Sequence, residues 1–386
     1  MEEKKEPDFE KDSIIDDKYI IIKKIGEGGF SKVYLVQDRN SKKIYAGKIL
    51  FDSATQKEKE NISNEVIILN LLKENPTSDN YVTRLIYSGN GQIKKVINNE
   101  IIHANKYYLI SNYLSKGNLD RYLQKTEEGF SEKHAKIIFS KILECFQFIH
   151  NSNICHLDIK LDNILLDDHY NPIITDFGLS KQMKKIEENK YEQFEGKPMG
   201  TPNYICPQMW SYKKFDGIKA DIFSLGVVLL FLITKKNCFN IAYRTDSKYK
   251  LILKKRNEDY WKEITTIYPQ ISKLSKEFKE LYFKMISPRE ETRPDFIKDI
   301  FKEPWLKNNN FTNEDYIEYE NTMKDLENKL NEDNEIMENK NNNDDNNINL
   351  GSGFRGTEDK GKIFFNYDLR PKYLYKSGLN AMNYII

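Results

Sequence analysis

Between Ile154 and Ser180 the chain interleaves polar side chains with apolar triplets in a pattern that few folds accommodate. In ICHLDIKLDNILLD (154–167) and IITDFGLS (173–180), Asp158, Lys160, Asn163 and Asp176 supply three oxygen-bearing groups and an ammonium. The triplets Ile164-Leu165-Leu166 and Pro172-Ile173-Ile174 read as short strands, and a hairpin between them brings Asn163 and Asp176 together. An amide oxygen beside a carboxylate suits a hard divalent ion that keeps waters and binds substrate phosphates, which is Mg2+ chemistry. Asp158 is not needed for that cage and is free to accept a proton.

Two further features fit an anion-handling site. Gly26-Glu27-Gly28-Gly29-Phe30-Ser31-Lys32-Val33 joins two strand-like runs, and glycines let backbone N–H groups approach an anion closely. Taken alone, the loop is equally a tight hairpin turn. A dinucleotide fold is excluded, because that fold needs a helix directly after the loop and a strand follows here. Lys48 lies in the strand-like run YAGKIL, where burial requires a carboxylate or phosphate. Glu65, among Ile62, Val66 and Leu69, is the natural partner. Without such a partner Lys48 reads as a surface residue of an edge strand.

Three strands in a meander are predicted from YIIIKKIG, KVYLVQD and KIYAGKIL, followed by a helix from about Ser53 to Glu74. Strand-like segments at Val82–Tyr87 and Tyr107–Asn112 flank a polar stretch around Asn90–Asn105 that reads as an extended hairpin. After Gly117 the chain is mainly helical. Ser131 is placed to cap a helix whose stripe is Ile138, Ile142, Cys145, Phe146 and Ile149. Residues 222–233, apolar on all sides, belong inside a large domain. The chain of 386 residues carries a net charge of +1, which argues against partners held by bulk charge such as nucleic acid. Its 24 Tyr and 21 Phe exclude global disorder. Cys145, Cys155, Cys206 and Cys238 form no CxxC pair and read as reduced thiols. The N-terminus is too polar for a signal peptide, and the apolar run Leu225–Ile233 is too short to span a bilayer. An intracellular, cytoplasmic setting is expected, with the nucleus left open.

As a set these motifs resemble the eukaryotic protein kinases, over about residues 19–307, and the Ser/Thr branch in particular. The roles that follow are those the resemblance implies. GEGGFSKV is similar to the glycine-rich loop, with Ser31 at the third glycine, and AGK to the strand motif whose Lys48 holds phosphates and pairs with Glu65. HLDIKLDN resembles the catalytic loop: Asp158 takes or orients the substrate hydroxyl proton, Lys160 neutralises the γ-phosphate, and Asn163 joins Asp176 of the Asp176-Phe177-Gly178 turn on Mg2+. GTPNYICPQ (200–208) resembles the substrate-docking loop, with Thr201 bonding Asp158 and Lys160. Asp221 matches the buried anchor of the catalytic loop. Arg293 matches the arginine that pairs the glutamate ending that docking loop. Nucleotide contacts are implied for Ile25, Gly26, Glu27, Gly28, Gly29, Phe30, Ser31, Val33, Ala46, Lys48, Asn112, Leu114 and Leu165.

The expected fold is α+β and two-lobed. A small antiparallel β-sheet N-lobe of five strands with one helix spans 18–112, and a larger, mainly helical C-lobe spans 113–307. Residues 1–17 read as a flexible leader, 308–349 as a charged, solvated helix and Asn-rich linker, and 350–386 as a C-terminal tail of unassigned role that could contact the kinase domain. The expected activity is ATP- and Mg2+-dependent phosphorylation of Ser/Thr in protein substrates. The alternatives are a catalytically weak kinase-like scaffold and, disfavoured by the docking loop, a lipid or small-molecule kinase.

Beyond Ser31, the sequence departs from the family pattern at four places. Leu157 stands where an arginine usually binds a phosphorylated activation loop, and leucine cannot pair a phosphate; activity independent of that phosphorylation is expected. Gln208 replaces the glutamate partner of Arg293. Ser111, before Asn112-Tyr113-Leu114, enlarges the space behind the adenine. Of the two positions acidic in basophilic members, Asn118 and Asp162, only the second is acidic, which leaves an upstream Arg preference open.

Overall fold

A computed structural model describes residues 8, 9, 11–97, 100–188, 190–307 and 311–347. The chain divides into two units, 1–334 and 335–386, and the first holds both lobes.

The N-lobe strands are β1 (Ile14–Ile15), β2 (Tyr19–Glu27), β3 (Ser31–Asp38), β4 (Ile44–Leu50), β5 (Leu85–Ile97) and β6 (Glu100–Asn112). They pair in the order β1-β2-β3-β4-β6-β5, and β1 pairs with β5 as well as β2, closing a barrel. The five-stranded reading is therefore one strand short, and residues 14–15 of the expected leader are part of the sheet. Ile15 is fully buried, and Phe9 packs edge-on against Tyr34. Two consecutive isoleucines among charges carry too little pattern to be read as a strand. The polar stretch 90–105 does not interrupt the hairpin; β5 and β6 run through it in register, Gln92 opposite Asn105 and Ile93 opposite Ala104.

Strand alternation divides the barrel's side chains. Tyr19, Ile21, Tyr34, Val36, Ile49, Tyr108 and Ile110 fill its core. Val33, Leu35, Ala46 and Lys48 fall on the other face, with Val33 opposite Lys48 and Leu35 opposite Ala46. Helix α1 (Gln56–Lys73) packs across that face. Thr55 caps it with a capping box to Glu58 and buries Ile62, Glu65, Ile68, Leu69 and Leu72.

The C-lobe contains α2 (Leu119–Lys125), α3 (Glu132–Asn151), β7 (Ile154–Cys155), β8 (Ile164–Leu166), β9 (Pro172–Ile174) and β10 (Lys181–Gln182). The hairpin β11 (Lys185–Glu187)–β12 (Lys190–Tyr191) follows, then α4 (Pro207–Trp210), α5 (Gly217–Thr234), α6 (Ser247–Leu253) and α7 (Asn257–Ile267). Helices α8 (Lys276–Met285), α9 (Ile297–Ile300) and α10 (Pro304–Lys307) complete it. Ser131 caps α3 by accepting the His134 N–H. Helix α5 is apolar enough to cross a membrane, yet 94% of it is buried inside the domain, so it is the core helix that its all-round apolarity predicts.

The segment read as a solvated extension is instead the long helix α11 (Asn313–Asn347), and its first half is docked on the C-lobe. Tyr319, Met323, Leu326 and Leu330 are buried at i, i+4, i+7 and i+11. The Tyr319 hydroxyl donates to the Tyr170 carbonyl at 2.9 Å. Glu327 accepts from Lys116 at 2.9 Å and from the Tyr170 hydroxyl at 2.6 Å. Lys133 pairs with Glu318 and Asp315, and Lys125 with Asp333. Four apolar residues, spaced for one stripe, suffice because the lobe supplies the rest. The linker read at 338–349 lies partly, and the tail at 350–386 wholly, outside the described residues.

Candidate active site

The site lies where α1 and β4 face the β8–β9 hairpin. Lys48 Nζ donates to Glu65 Oε2 and to Asp176 Oδ1, each at 2.8 Å. Two carboxylates and one ammonium cannot all be equally satisfied in a buried setting. Burial pulls the Lys48 ammonium down, but the charges of Asp176 and Glu65 outweigh it and raise its pKa. Against the same penalty of burial, Lys48 holds the Asp176 carboxyl below its ordinary value. Glu65 is pushed up by burial and by the like charge of Asp176, despite Lys48.

Asp176 adopts φ 66°, ψ 67°, left-handed and uncommon for a residue with a Cβ. The catalytic loop also turns through a left-handed residue, Leu157 at φ 63°. It is held by Asp221, which is fully buried and accepts the backbone N–H of His156 at 2.8 Å and of Leu157 at 2.9 Å. His150 Nε2 lies 2.9 Å from the same carboxylate. The Leu157 side chain packs in the core.

Asp158 faces the docking loop. Its Oδ1 accepts from the Thr201 hydroxyl at 2.8 Å and from the Thr201 N–H at 2.9 Å. Lys160 donates to Thr201 Oγ1 at 3.1 Å and lies 3.3 Å from Asp158 Oδ2. Burial lowers the Lys160 pKa, but Asp158, Asp176 and Asp162 together leave it raised. The docking loop comes this close because residue 200 is a glycine. Its φ is 90°, and a Cβ there would meet the Leu157 carbonyl oxygen at 2.7 Å.

Asn163 spends its Nδ2 on the Asp158 carbonyl at 2.9 Å, so Oδ1 is the side-chain atom it could offer to a metal. The hairpin register sets Ile164 opposite Ile174, and the Thr175 N–H donates to the Asn163 carbonyl at 3.0 Å, so Asn163 and Asp176 flank one strand crossing. One amide oxygen and one carboxylate are hard donors that fit Mg2+ shared with a phosphate substrate. Among the described residues no cluster of three His, Cys, Asp or Glu competes as a metal site.

The strand loop is closed at its base by the Gly28 N–H on the Ser31 carbonyl at 2.8 Å, which leaves Gly29 and Phe30 as the tip. Ile25 is exposed; Val33, Ala46, Leu114 and Leu165 are half-buried, as apolar groups lining an open cleft are. Asn112 is committed through its side chain. Its side-chain oxygen accepts the Arg84 N–H at 2.7 Å, so any nucleotide contact there falls to its backbone. Gln208 accepts from Arg293 at 2.8 Å, as the substitution implies, and its amide also donates to the Pro288 carbonyl at 2.9 Å. A glutamate could not make that second bond.

Sequence reasoning missed Asn64, whose amide reaches the carbonyls of Phe177, Gly178 and Ser180. It also missed the anchors of α11. Both are long-range contacts between residues that are unremarkable in their local sequence.

The model of the protein kinase domain matches residues 19–306. The chain belongs to the protein kinase family. Its similarities run to serine/threonine-protein kinases. CBL-interacting protein kinase 26 of Oryza sativa subsp. japonica is 27% identical over 302 residues, 78% of this chain and 54% of that protein. CBL-interacting serine/threonine-protein kinase 13 of Arabidopsis thaliana is 29% identical over 301 residues, 76% of this chain and 52% of that protein. Serine/threonine-protein kinase SAPK2 of Oryza sativa subsp. indica is 28% identical over 295 residues, 76% of this chain and 77% of that protein. The chain spans about half the length of the CBL-interacting kinases named here.

Proposed function

We propose that this kinase domain transfers the γ-phosphoryl group of ATP to Ser/Thr hydroxyls of protein substrates with the help of Mg2+. The observation that carries the proposal is the double engagement of Lys48 with Glu65 and Asp176 at 2.8 Å, which joins the N-lobe helix, the sheet and the metal-ligand turn in one arrangement. Each side chain then has a separate task. Lys48 steadies the α- and β-phosphates, and Asn163 and Asp176 are the residues that hold the metal. Asp158 orients the incoming hydroxyl and takes its proton, while Lys160 offsets charge at the transferred group. Mg2+, when bound, neutralises the developing phosphate charge. Transfer of this kind needs positioning and charge neutralisation more than covalent chemistry from the protein.

Activity independent of activation-loop phosphorylation belongs to the same proposal. Leu157 packs in the core and presents no cation, and residues 181–200 contain neither Ser nor Thr. Lys181, the nearby cation, lies 4.8 Å from the Phe194 ring. The buried, unpaired thiols of Cys145, Cys155, Cys206 and Cys238 support a reducing, intracellular setting. Protein substrates are the expected partners.

The rival reading is a kinase-like scaffold of weak activity. ATP-dependent phosphorylation of a generic protein substrate, reduced at least a hundredfold in a folded Asp158→Asn variant, discriminates between the two. Equal incorporation by wild type and variant would refute the proposal. Prior phosphatase treatment is expected to leave the wild-type rate within twofold, and abolition of the rate would remove the phosphorylation-independent part.

A further inference from the structure

Asn64 sits in α1 one residue before Glu65, and its Nδ2 donates to three backbone carbonyls of the segment after Asp176. The distances are 2.9 Å to Ser180, 3.1 Å to Gly178 and 3.3 Å to Phe177. A side-chain amide nitrogen carries two hydrogens, so three contacts must be shared, and the two shorter ones carry most of the interaction. The next residue, Glu65, is the partner of Lys48 Nζ, which in turn holds Asp176 Oδ1. Neighbouring residues of one helix thus grip the Asp176–Ser180 segment, Asn64 by donating to its carbonyls and Glu65 through the ammonium it shares with Asp176.

That segment has need of outside support. Asp176 is left-handed, and the single 3-10 turn Phe177–Leu179 closes with one bond, the Ser180 N–H on the Phe177 carbonyl at 3.1 Å. A residue with a Cβ held at positive φ persists where its surroundings over-determine it. The Asp176 carboxylate that meets Lys48 and the first carbonyl that meets Asn64 belong to adjacent residues, so a shift of α1 displaces both together.

We propose that Asn64 is a positioning residue for phosphoryl transfer: its amide couples the setting of α1 to the backbone that aims Asp176. The Lys48–Glu65 pair and the metal-binding carboxylate are then placed as one unit. This rests on reading the cleft as a Mg2+–nucleotide site. Aspartate is the discriminating replacement, since it keeps the shape of asparagine but turns the donor into an acceptor facing three carbonyls.

The experiment compares full-length wild type, Asn64→Asp, Asn64→Ala and the exposed charge control Ser63→Asp. Three readouts apply: amide hydrogen exchange over residues 176–182 without nucleotide, calorimetric ADP affinity with and without Mg2+, and kcat. For Asn64→Asp, exchange over 177–180 is expected to rise about tenfold, and the affinity gained on adding Mg2+ and kcat each to fall about tenfold. Asn64→Ala should move the same way by about threefold, and Ser63→Asp should match wild type. Exchange and Mg2+-dependent affinity within twofold of wild type in both Asn64 variants would overturn the proposal, as would equal effects from Ser63→Asp. Should Asn64→Asp fail to fold, Asn64→Ala is judged by the same limits. A wild type without Mg2+-dependent ADP uptake would defeat the reading of the cleft instead, while the exchange comparison would still decide whether Asn64 holds the turn.

Discussion

Replacing Met323 by alanine tests whether α11 is part of the folded domain or a solvated appendage. Met323 is fully buried, in one cluster with Tyr319, Leu326 and Leu330. Truncation removes the thioether and its methyl group and leaves a cavity bounded by side chains that relax only in part. For buried methionine that costs about 2–4 kcal/mol. Ile317, on the same helix but 57% exposed, is the control. Its alanine variant loses little burial and gains a few tenths of a kcal/mol of helix propensity, so its net effect should lie within about 0.5 kcal/mol of zero. Urea unfolding followed by far-ultraviolet circular dichroism reads both. With a slope of about 2–3 kcal/mol per molar, Met323→Ala should lower the midpoint by about 1 M and Ile317→Ala by less than about 0.2 M. Amide exchange over 316–331 should quicken in the first variant alone. Coincident midpoints for the two variants would mean that the helix is not packed as described.

The remaining predictions concern other parts of the molecule. Gln208→Ala strips the buried Arg293 guanidinium of a partner at 2.8 Å and should destabilise by about 2–3 kcal/mol, read by the same urea assay; a change under about 0.5 kcal/mol would be inconsistent with a buried contact. Ser111, opposite Ala46 in the sheet, should admit bulky ATP-site inhibitors, and Ser111→Phe should weaken their inhibition at least tenfold without altering that of small ones; equal inhibition of both forms would refute the reading. Burial holds the His134 pKa below its ordinary 6.5, although Glu318 partly opposes it. The unfolded state therefore binds more protons near that value, and the stability attached to neutral His134 falls as pH drops through 6.5. Asp315 and Glu318, held down by Lys133, add a second loss only below the ordinary carboxylate range. Urea midpoints should fall from pH 7.5 to 5.5 and fall less in His134→Gln; parallel curves would exclude His134 as the cause.

The parts legible in the sequence were those with local chemistry or strict periodicity. The hairpin of Ile164–Leu166 with Pro172–Ile174 follows from two apolar triplets, and the core position of α5 from apolarity on every side. Lys48 and Glu65 could be matched because a buried charge demands an opposite one. The bond between the Asn112 side chain and the backbone of Arg84 was not legible, because nothing in the local sequence links the two. Helix α11 was misread because its stripe is narrow, and what makes it bind is Lys116, His134 and Tyr170, far away in sequence. Strand β1 was missed for the same reason: a two-residue strand has meaning only beside the partners that complete it.

The union of β1 with both β2 and β5 closes the N-lobe sheet at Ile14 and Ile15. There, backbone groups of Tyr19, Ile20, Ile93 and Lys94 that an open sheet would present to other chains are already engaged by β1. A protein that recognises this end of the lobe therefore cannot do so by adding a strand beside those residues, and must read side chains on the barrel wall or on α1 instead.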